Sequence, residues 1–183
     1  HAGKRKVAAF SSFTSVGQAL TTRMSELYGD DKVAALLRDM TPGQRQTQLA
    51  RLLKEPYGTL LVCDSSAEEG WNLQFASHVL HVDVPWSTGR LEQRLGRFDR
   101  FQGDPSSATQ PIKSLVAADS GLLGELTKPW VELLRDSFDV FDQSSAPLQY
   151  VLPELEALAI QRAIDGRFAD IAVPIDSDAH DLE

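Results

Sequence analysis

The chain has 183 residues, 42% of them hydrophobic and 24% charged, enough to bury the core of one domain plus an appendage. No apolar run approaches a membrane span, no signal-peptide pattern opens the sequence, and the single Cys63 excludes an internal disulfide framework and a cysteine-rich zinc site. The net charge of −8 argues against nucleic acid only until its distribution is read, because residues 1–103 carry 13 Lys/Arg against 11 Asp/Glu and residues 104–183 carry 5 against 15.

In chain order, the run KVAAF (residues 6–10) predicts a buried strand. Across residues 14–27, Val16, Leu20, Met24 and Leu27 recur at steps of four, four and three, a helix stripe with Thr14 or Ser15 as its cap. Residues 32–37 suit another strand, with helix left open. Residues 41–55 predict a helix capped by Thr41, with Pro42 in the first turn and Leu49, Leu52 and Leu53 facing inward. Residues 58–64 and 77–86 predict two central strands, the second stopped by Pro85. A helix over residues 89–101 follows, with Ser87 or Thr88 as its cap.

Continuous apolar strands alternating with helices indicate an α/β fold with a mainly parallel sheet covered on both faces. Ligands of such sheets gather at the carboxyl ends of the strands. The stretches SSFTS (11–15), DSSAEEG (64–70) and PWSTG (85–89) stand there. Residues 101–111, rich in Pro, Ser and Gly, end the core repeat, and residues 112–117 add an edge strand. Residues 120–141 predict a helix broken or begun at Pro129. A second helix runs from near Pro153 to Gly166, and the last dozen residues are an acidic tail. The expected organisation is a lobe over residues 1–115, a helical appendage over 116–170 that packs on it, and a flexible tail over 171–183. The appendage would dock through an apolar band from Leu122 through Trp130, Leu133 and Leu134 to Phe138.

The stretch LEQRLGRFDR (91–100) concentrates cations in an acidic chain. On a helix, Gln93, Arg97 and Arg100 fall within roughly 60° of one another, with Gly96 at the edge of that face. Leu91, Leu95 and Phe98 gather opposite, where they can pack on the sheet, and Arg94 points between the two faces. A solvated face paired with Glu92 and Asp99 is the plain alternative, and such surface pairs contribute little. Position favours chemistry, because the polar face lies near a strand end and follows the loop DSSAEEG. The serines there offer hydroxyls and backbone N–H groups to phosphate oxygens, and Gly70 permits a turn or close backbone approach. The plain alternative for that loop is a helix cap, with Glu68 and Glu69 complementing the dipole.

These residues resemble motifs V and VI of the superfamily 2 helicases, and most closely the Swi/Snf-type ATPases. The shared pattern is Glu-Gly-x-Asn-Leu, a strand, Asp-x-x-Trp, then Gln-Arg-x-Gly-Arg-x-x-Arg. Residues 6–20 are similar to motif IV, and residues 40–52 to the helix between motifs IV and V. The string NLQFAS (72–77) and residues 130–141 look most like the bacterial RapA branch, and DpdE-type proteins of phage-defence and DNA-modification clusters are also similar. The resemblance implies a three-layer α/β/α RecA-like lobe of the P-loop NTPase type, the second of two lobes that close on ATP.

A G-x-x-x-x-G-K-[ST] loop and an acidic Asp-Glu-x-His-like motif, which belong to the first lobe, do not occur here. The resemblance therefore implies a longer protein whose first lobe holds most of ATP and Mg2+, with His1–Gly3 as a linker or an added remnant. Carried over by position, Arg97 and Arg100 are the expected catalytic residues, Arg100 as the arginine finger on the γ-phosphate. Gln93, Glu69, Gly70 and Gly96 are expected to line the ATP site, and Ser11, Ser12 and Ser65 to touch the nucleic-acid backbone. The implied partners are the first lobe, double-stranded DNA, and RNA polymerase or a defence or DNA-modification complex. The implied setting is cytoplasmic, with no membrane and no metal site in this chain.

Three departures from the family pattern stand out. Ala67-Glu68 replaces a frequent Gly-Gly, WSTG stands where Trp-Asn-Pro is usual, and RFQG where Arg-Ile-Gly-Gln is usual. With the acidic appendage, the Ala67-Glu68 replacement motivates an alternative, a degenerate lobe kept as a binding or regulatory module without ATPase activity. Cys63 is expected in the sheet core, and Trp71 and Trp86 as packing anchors. His78 and His81, three apart in a strand, point to opposite faces, which argues against a shared metal.

Overall fold

The structure, a computed structural model, describes residues 5–55, 58–98, 113–117, 122–137 and 152–171. Arg100, the segment 101–111, Phe138 and the acidic tail lie outside the described residues. Five strands, β1 (Lys6–Phe10), β2 (Val33–Leu36), β3 (Thr59–Cys63), β4 (His78–His81) and β5 (Lys113–Val116), pair in parallel throughout, in the order β2-β3-β1-β4-β5. β1 is central, and Phe10 lies opposite Cys63 on one side and His81 on the other. Residues 32–37 thus hold a strand, and residues 112–117 supply the edge.

The two-residue side-chain period sorts each strand between two layers. Ala8, Phe10, Leu36, Leu61, Cys63 and Val79 share one core with Leu49 and Leu52 of α2 (Pro42–Lys54). Leu95 and Phe98, at and just past the end of α3 (Thr88–Gly96), complete it. Val33, Ala35 and Val62 face the other way, against Leu20 and Met24 of α1 (Thr14–Tyr28). The architecture is the expected three-layer α/β/α sandwich, and the strands read as apolar runs because both faces are covered.

Local chemistry sets the helix ends, not always as the sequence pattern predicts. Thr41 caps α2 through a full capping box: its hydroxyl accepts from Gln44 N, and Gln44 Oε1 accepts from Thr41 N at 2.7 Å. α1 instead begins after Phe13, which gives no side-chain cap, and Thr14 donates its hydroxyl to Asp64. Of the α1 stripe, Val16 and Leu27 are exposed. Gly17 makes the close approach there, since a Cβ on it would lie 2.7 Å from Leu37 Cδ2 and Val16 is turned outward. Leu53 is likewise outward on α2, 47% exposed against 1% for Leu52, because the contact line runs through Leu49 and Leu52.

α3 ends at Gly96, short of the expected residue 101. The N–H groups of Arg97 and Phe98 reach back three residues, to Arg94 and Leu95, and Leu73 N donates to the Arg97 carbonyl at 3.0 Å. The last turn is tightened in the manner of a 3₁₀ helix by a partner distant in sequence.

The contacts divide the chain into two compact units, residues 1–84 with 93–117, and residues 85–92 with 118–183. The second unit contains α4 (Leu122–Glu132), a π turn (Leu133–Ser137) and α5 (Leu152–Ile164), followed by Gly166 at φ +74°. Pro129 sits inside α4 without ending it. Trp130 is buried, stacks on Trp86 at 5.1 Å, and donates its indole N–H to the Pro85 carbonyl. Glu156 accepts from the N–H and hydroxyl of Thr88, so at the start of α3 Thr88 is a donor to Glu156, and Trp86 serves packing within this unit. Among the described residues no helix is long and apolar enough to cross a membrane.

The two neighbouring leucines of α2 provide a test of this packing. Leu52→Ala is expected to lower the unfolding free energy by about 2–5 kcal/mol, whereas Leu53→Ala costs under ~1 kcal/mol. Urea denaturation of the two variants measures both, and equal losses would contradict the assigned face.

Candidate functional site

The strand order places a topological switch between β1 and β4, since the chain leaves β1 toward β2 and leaves β4 toward β5. In parallel sheets the crevice at such a point, outside the carboxyl ends, is where ligands bind. Two carboxylates organise the loops there. Asp64, after β3, accepts from Thr14 Oγ1 at 2.6 Å, Arg38 N at 2.8 Å, Ser66 N at 2.9 Å and Ser66 Oγ at 2.6 Å. Burial on its own would raise its pKa, but those bonds outweigh it and hold the group below its ordinary 3.8. Asp83, after β4, accepts from Ser11 Oγ at 2.6 Å and from Ser12 N at 2.8 and 2.9 Å.

Arg94 is the centre of the network at the switch. Its guanidinium has no exposed surface and meets Glu68 Oε1 through Nη2 at 2.9 Å and Nε at 3.2 Å. Nη1 donates to the Asp83 carbonyl at 2.9 Å, and Nη2 reaches Ser12 Oγ at 3.4 Å. The Phe10 ring lies beneath the cation, 5.1 Å from centroid to Cζ. His81 Nδ1 stands 3.4 Å from Nη1. Burial first, and then the charge of Arg94, push His81 down to about 3, against a smaller upward pull from Asp83. His81 is therefore neutral, with Nδ1 as the acceptor and the proton on Nε2.

The residues singled out by sequence fall into three groups. Gln93, Gly96, Glu69 and Gly70 are exposed, and Arg97 is half-buried. Arg97 Nε donates to the Gln93 carbonyl at 3.4 Å, and among the described residues its guanidinium makes no ion pair. Gly70 takes φ +78°, a turn that favours glycine, while a Cβ on Gly96 would meet nothing within 4 Å. Ser11 is buried and its hydroxyl is committed to Asp83, Ser12 is half-buried, and Ser65 accepts from Arg38 Nη2 at 3.2 Å. Arg100 lies outside the described residues. Cys63 is buried, and burial followed by the Asp64 charge raises its thiol well above the ordinary range, so it is an unreactive core group. Trp71 packs against the same core.

Sequence reasoning missed Arg94, Asp64 and Asp83 as organising residues, and it read Glu68 as a dipole-complementing carboxylate and a departure from the family pattern. Glu68 is instead the buried partner of Arg94. A signal for Arg94 was present: with Leu91, Leu95 and Phe98 it completes the i, i+3, i+4, i+7 stripe of a helix face that meets a sheet.

A parallel sheet of this order, covered on both faces and with its polar network at the β1–β4 switch, defines the chain as a RecA-like lobe. It belongs to the helicase conserved C-terminal domain family, which matches residues 1–102. It is 41% identical over 59 residues to the RNA polymerase-associated protein RapA of Pectobacterium carotovorum, covering 32% of this chain and 6% of that protein. Over 42 residues it is 46% identical to the uncharacterized ATP-dependent helicase YqhH of Bacillus subtilis, covering 23% of this chain and 8% of that one. In fold it matches the Sulfolobus solfataricus SWI2/SNF2 ATPase core solved with double-stranded DNA, with a TM-score of 0.54 and 20% identity over 87% of this chain and 31% of that one. The matches thus span a small part of the curated relatives' length.

Two measurements probe the network. Arg94→Met strands the Glu68 carboxylate and is expected to cost about 3–5 kcal/mol, much of it recovered in Arg94→Met/Glu68→Leu. Additive losses in the double variant would rule out the pairing. Because folded His81 refuses a proton until about pH 3 while the unfolded chain accepts one near 6.5, stability should fall as pH drops below 6.5. The slope approaches ~1.4 kcal/mol per pH unit between pH 6 and 5, and His81→Gln should remove it. An unchanged slope in that variant would assign the titration elsewhere.

Proposed function

We propose that this lobe supplies one wall of an ATPase site in a nucleic-acid translocase, the other wall being a first RecA-like lobe that holds most of ATP and Mg2+. Arg97 and Arg100 stabilise charge developing on the transferring phosphoryl oxygens, with Arg100 as the finger. Gln93, Glu69, Gly70 and Gly96 border the nucleotide. Ser12 and Ser65 meet nucleic-acid phosphates, and Ser11 holds their loop in place through Asp83. Closure of the two lobes on ATP would bring the arginines onto the phosphates and couple hydrolysis to stepping along the strand.

The observation that carries this reading is the contrast between two arginines three residues apart. Arg94 is wholly consumed inside the protein, whereas the half-buried Arg97 has, among the described residues, only a backbone carbonyl as its hydrogen-bond partner. The exposed Gly96 beside it leaves room for a ligand's approach. A module kept for binding alone would be favoured by a carboxylate facing the phosphates, and Glu68 is instead spent on Arg94. RapA is by name associated with RNA polymerase, and the Sulfolobus core was solved with double-stranded DNA. Double-stranded DNA is accordingly the proposed track, with RNA polymerase or a defence complex as the recruiting partner.

In the full-length protein, Arg97→Ala and Arg100→Ala are each expected to lower nucleic-acid-stimulated ATP turnover by about 10³-fold with folding intact. The isolated 183-residue chain should hydrolyse no ATP. Near-normal turnover in the Arg100 variant, judged by a coupled phosphate-release assay, would defeat the assignment.

A further inference from the structure

Arg38 leaves β2 at the carboxyl edge of the sheet, and its backbone is fixed by the bond from its N–H to Asp64. The same carboxylate holds Thr14 and Ser66, so the loops after β1, β2 and β3 meet at one buried anion. The Arg38 side chain itself is exposed, and Nη2 donates to Ser65 Oγ at 3.2 Å. Among the described residues that hydroxyl is the only partner of the guanidinium, which makes no ion pair. Other arginines of the lobe are committed: Arg23 to Glu26, Arg45 to the Leu37 carbonyl, and Arg51 to the Val33 carbonyl and Gln48.

Two carboxylates lie close to Arg38, and neither neutralises it. Asp64 is saturated by four donors on its inner side, and Asp39 accepts from Gln18 Nε2 at 2.6 Å. Ser65, as the acceptor from Arg38, keeps its own O–H to donate. A guanidinium with unused N–H groups next to a free hydroxyl proton matches two oxygens of one phosphate.

We propose that Arg38 and Ser65 form a seat for one phosphodiester of double-stranded DNA. Arg38 supplies the charge that a serine contact lacks, and the seat rests on the nucleic-acid part of the function proposed above. Its place in the sheet separates it from the nucleotide side. It lies at the ends of β2 and β3, whereas Arg97 follows β4, beyond β1. At about 4.8 Å per strand, the ends of β2 and β4 stand ~14 Å apart across the sheet. A contact to phosphate alone reads no bases, so it holds the strand regardless of sequence.

The test measures affinity of the full-length protein for a duplex at several salt concentrations by fluorescence anisotropy. Arg38→Ala should lessen the slope of log K against log salt by about 0.9 and weaken duplexes of different sequence by a common factor. Arg38→Lys should keep the wild-type slope, and the KM for ATP at saturating DNA should not change in either variant. An unaltered slope in Arg38→Ala, with the wild type binding DNA, overturns the seat and leaves the wider function standing. A raised KM for ATP with that unaltered slope assigns the cation to the nucleotide and also overturns it. Failure of the wild type to bind DNA at all removes both the seat and the reading beneath it.

Discussion

A guanidinium stripped of all water has to be matched on every side, and Arg94 is matched by four segments at once. Glu68 comes from the segment after β3, the Asp83 carbonyl and His81 from the end of β4, Ser12 from the loop after β1, and the Phe10 ring from β1 itself. Removing an arginine from water costs several kcal/mol, so an arrangement that failed to supply these partners would expel it. The network therefore constrains geometry more than it adds stability. It fixes how the end of α3 sits over the strand ends, and Arg97 is carried on the turn that follows. The bond from Leu73 N to the Arg97 carbonyl fixes that turn from the other side.

Two further anions divide the strand ends between them. Asp83 clamps Ser11 and Ser12, and Asp64 clamps Thr14, so the short loop after β1 is held at both ends by carboxylates from its neighbours in the sheet. What the loop then offers outward is small: Ser11 is buried, while the Phe13 ring, 62% exposed, stands clear. The same logic explains why the polar stretches at strand ends are polar at all. Much of their hydrogen-bonding capacity is consumed in holding one another, as buried polar groups require. Among the described residues, Arg38, Ser65 and Arg97 keep some of that capacity unspent.

The sheet was legible in the sequence because β1, β3 and β4 are covered on both faces, and such strands announce themselves as apolar runs. The α2 start was legible for a local reason, since Thr41, Pro42 and Gln44 carry the whole cap within four residues. What could not be read was set by partners distant along the chain. Gly17 turns α1 so that Val16 faces out because Leu37 lies against it. α3 stops at Gly96 with its last turn held by Leu73, where helical periodicity alone would continue the face. Arg94 was hidden by its charge: a residue type that almost never lies fully buried occupies a core position of the helix stripe. The motif pattern located the site, but it could not say which arginine faces inward.

Charge counts mislead here for the same reason. The chain is acidic overall, yet three of the acids at its strand ends, Asp64, Glu68 and Asp83, are turned toward internal donors. Glu69, Asp39 and Arg38 stay exposed, so the charge that the strand ends turn outward differs from the count along the sequence. Fields near a surface follow the charges that face solvent, and an anion enclosed by donors contributes much less to them. The unusual Glu68 fits this account. A glycine there would leave the buried Arg94 cation with the more distant Asp83 carboxylate, at 4.0 Å, as its counter-charge, and a carboxylate facing outward would repel phosphate. Placed inward, it neutralises a cation with no exposed surface and keeps its own charge off the outer face of the strand ends.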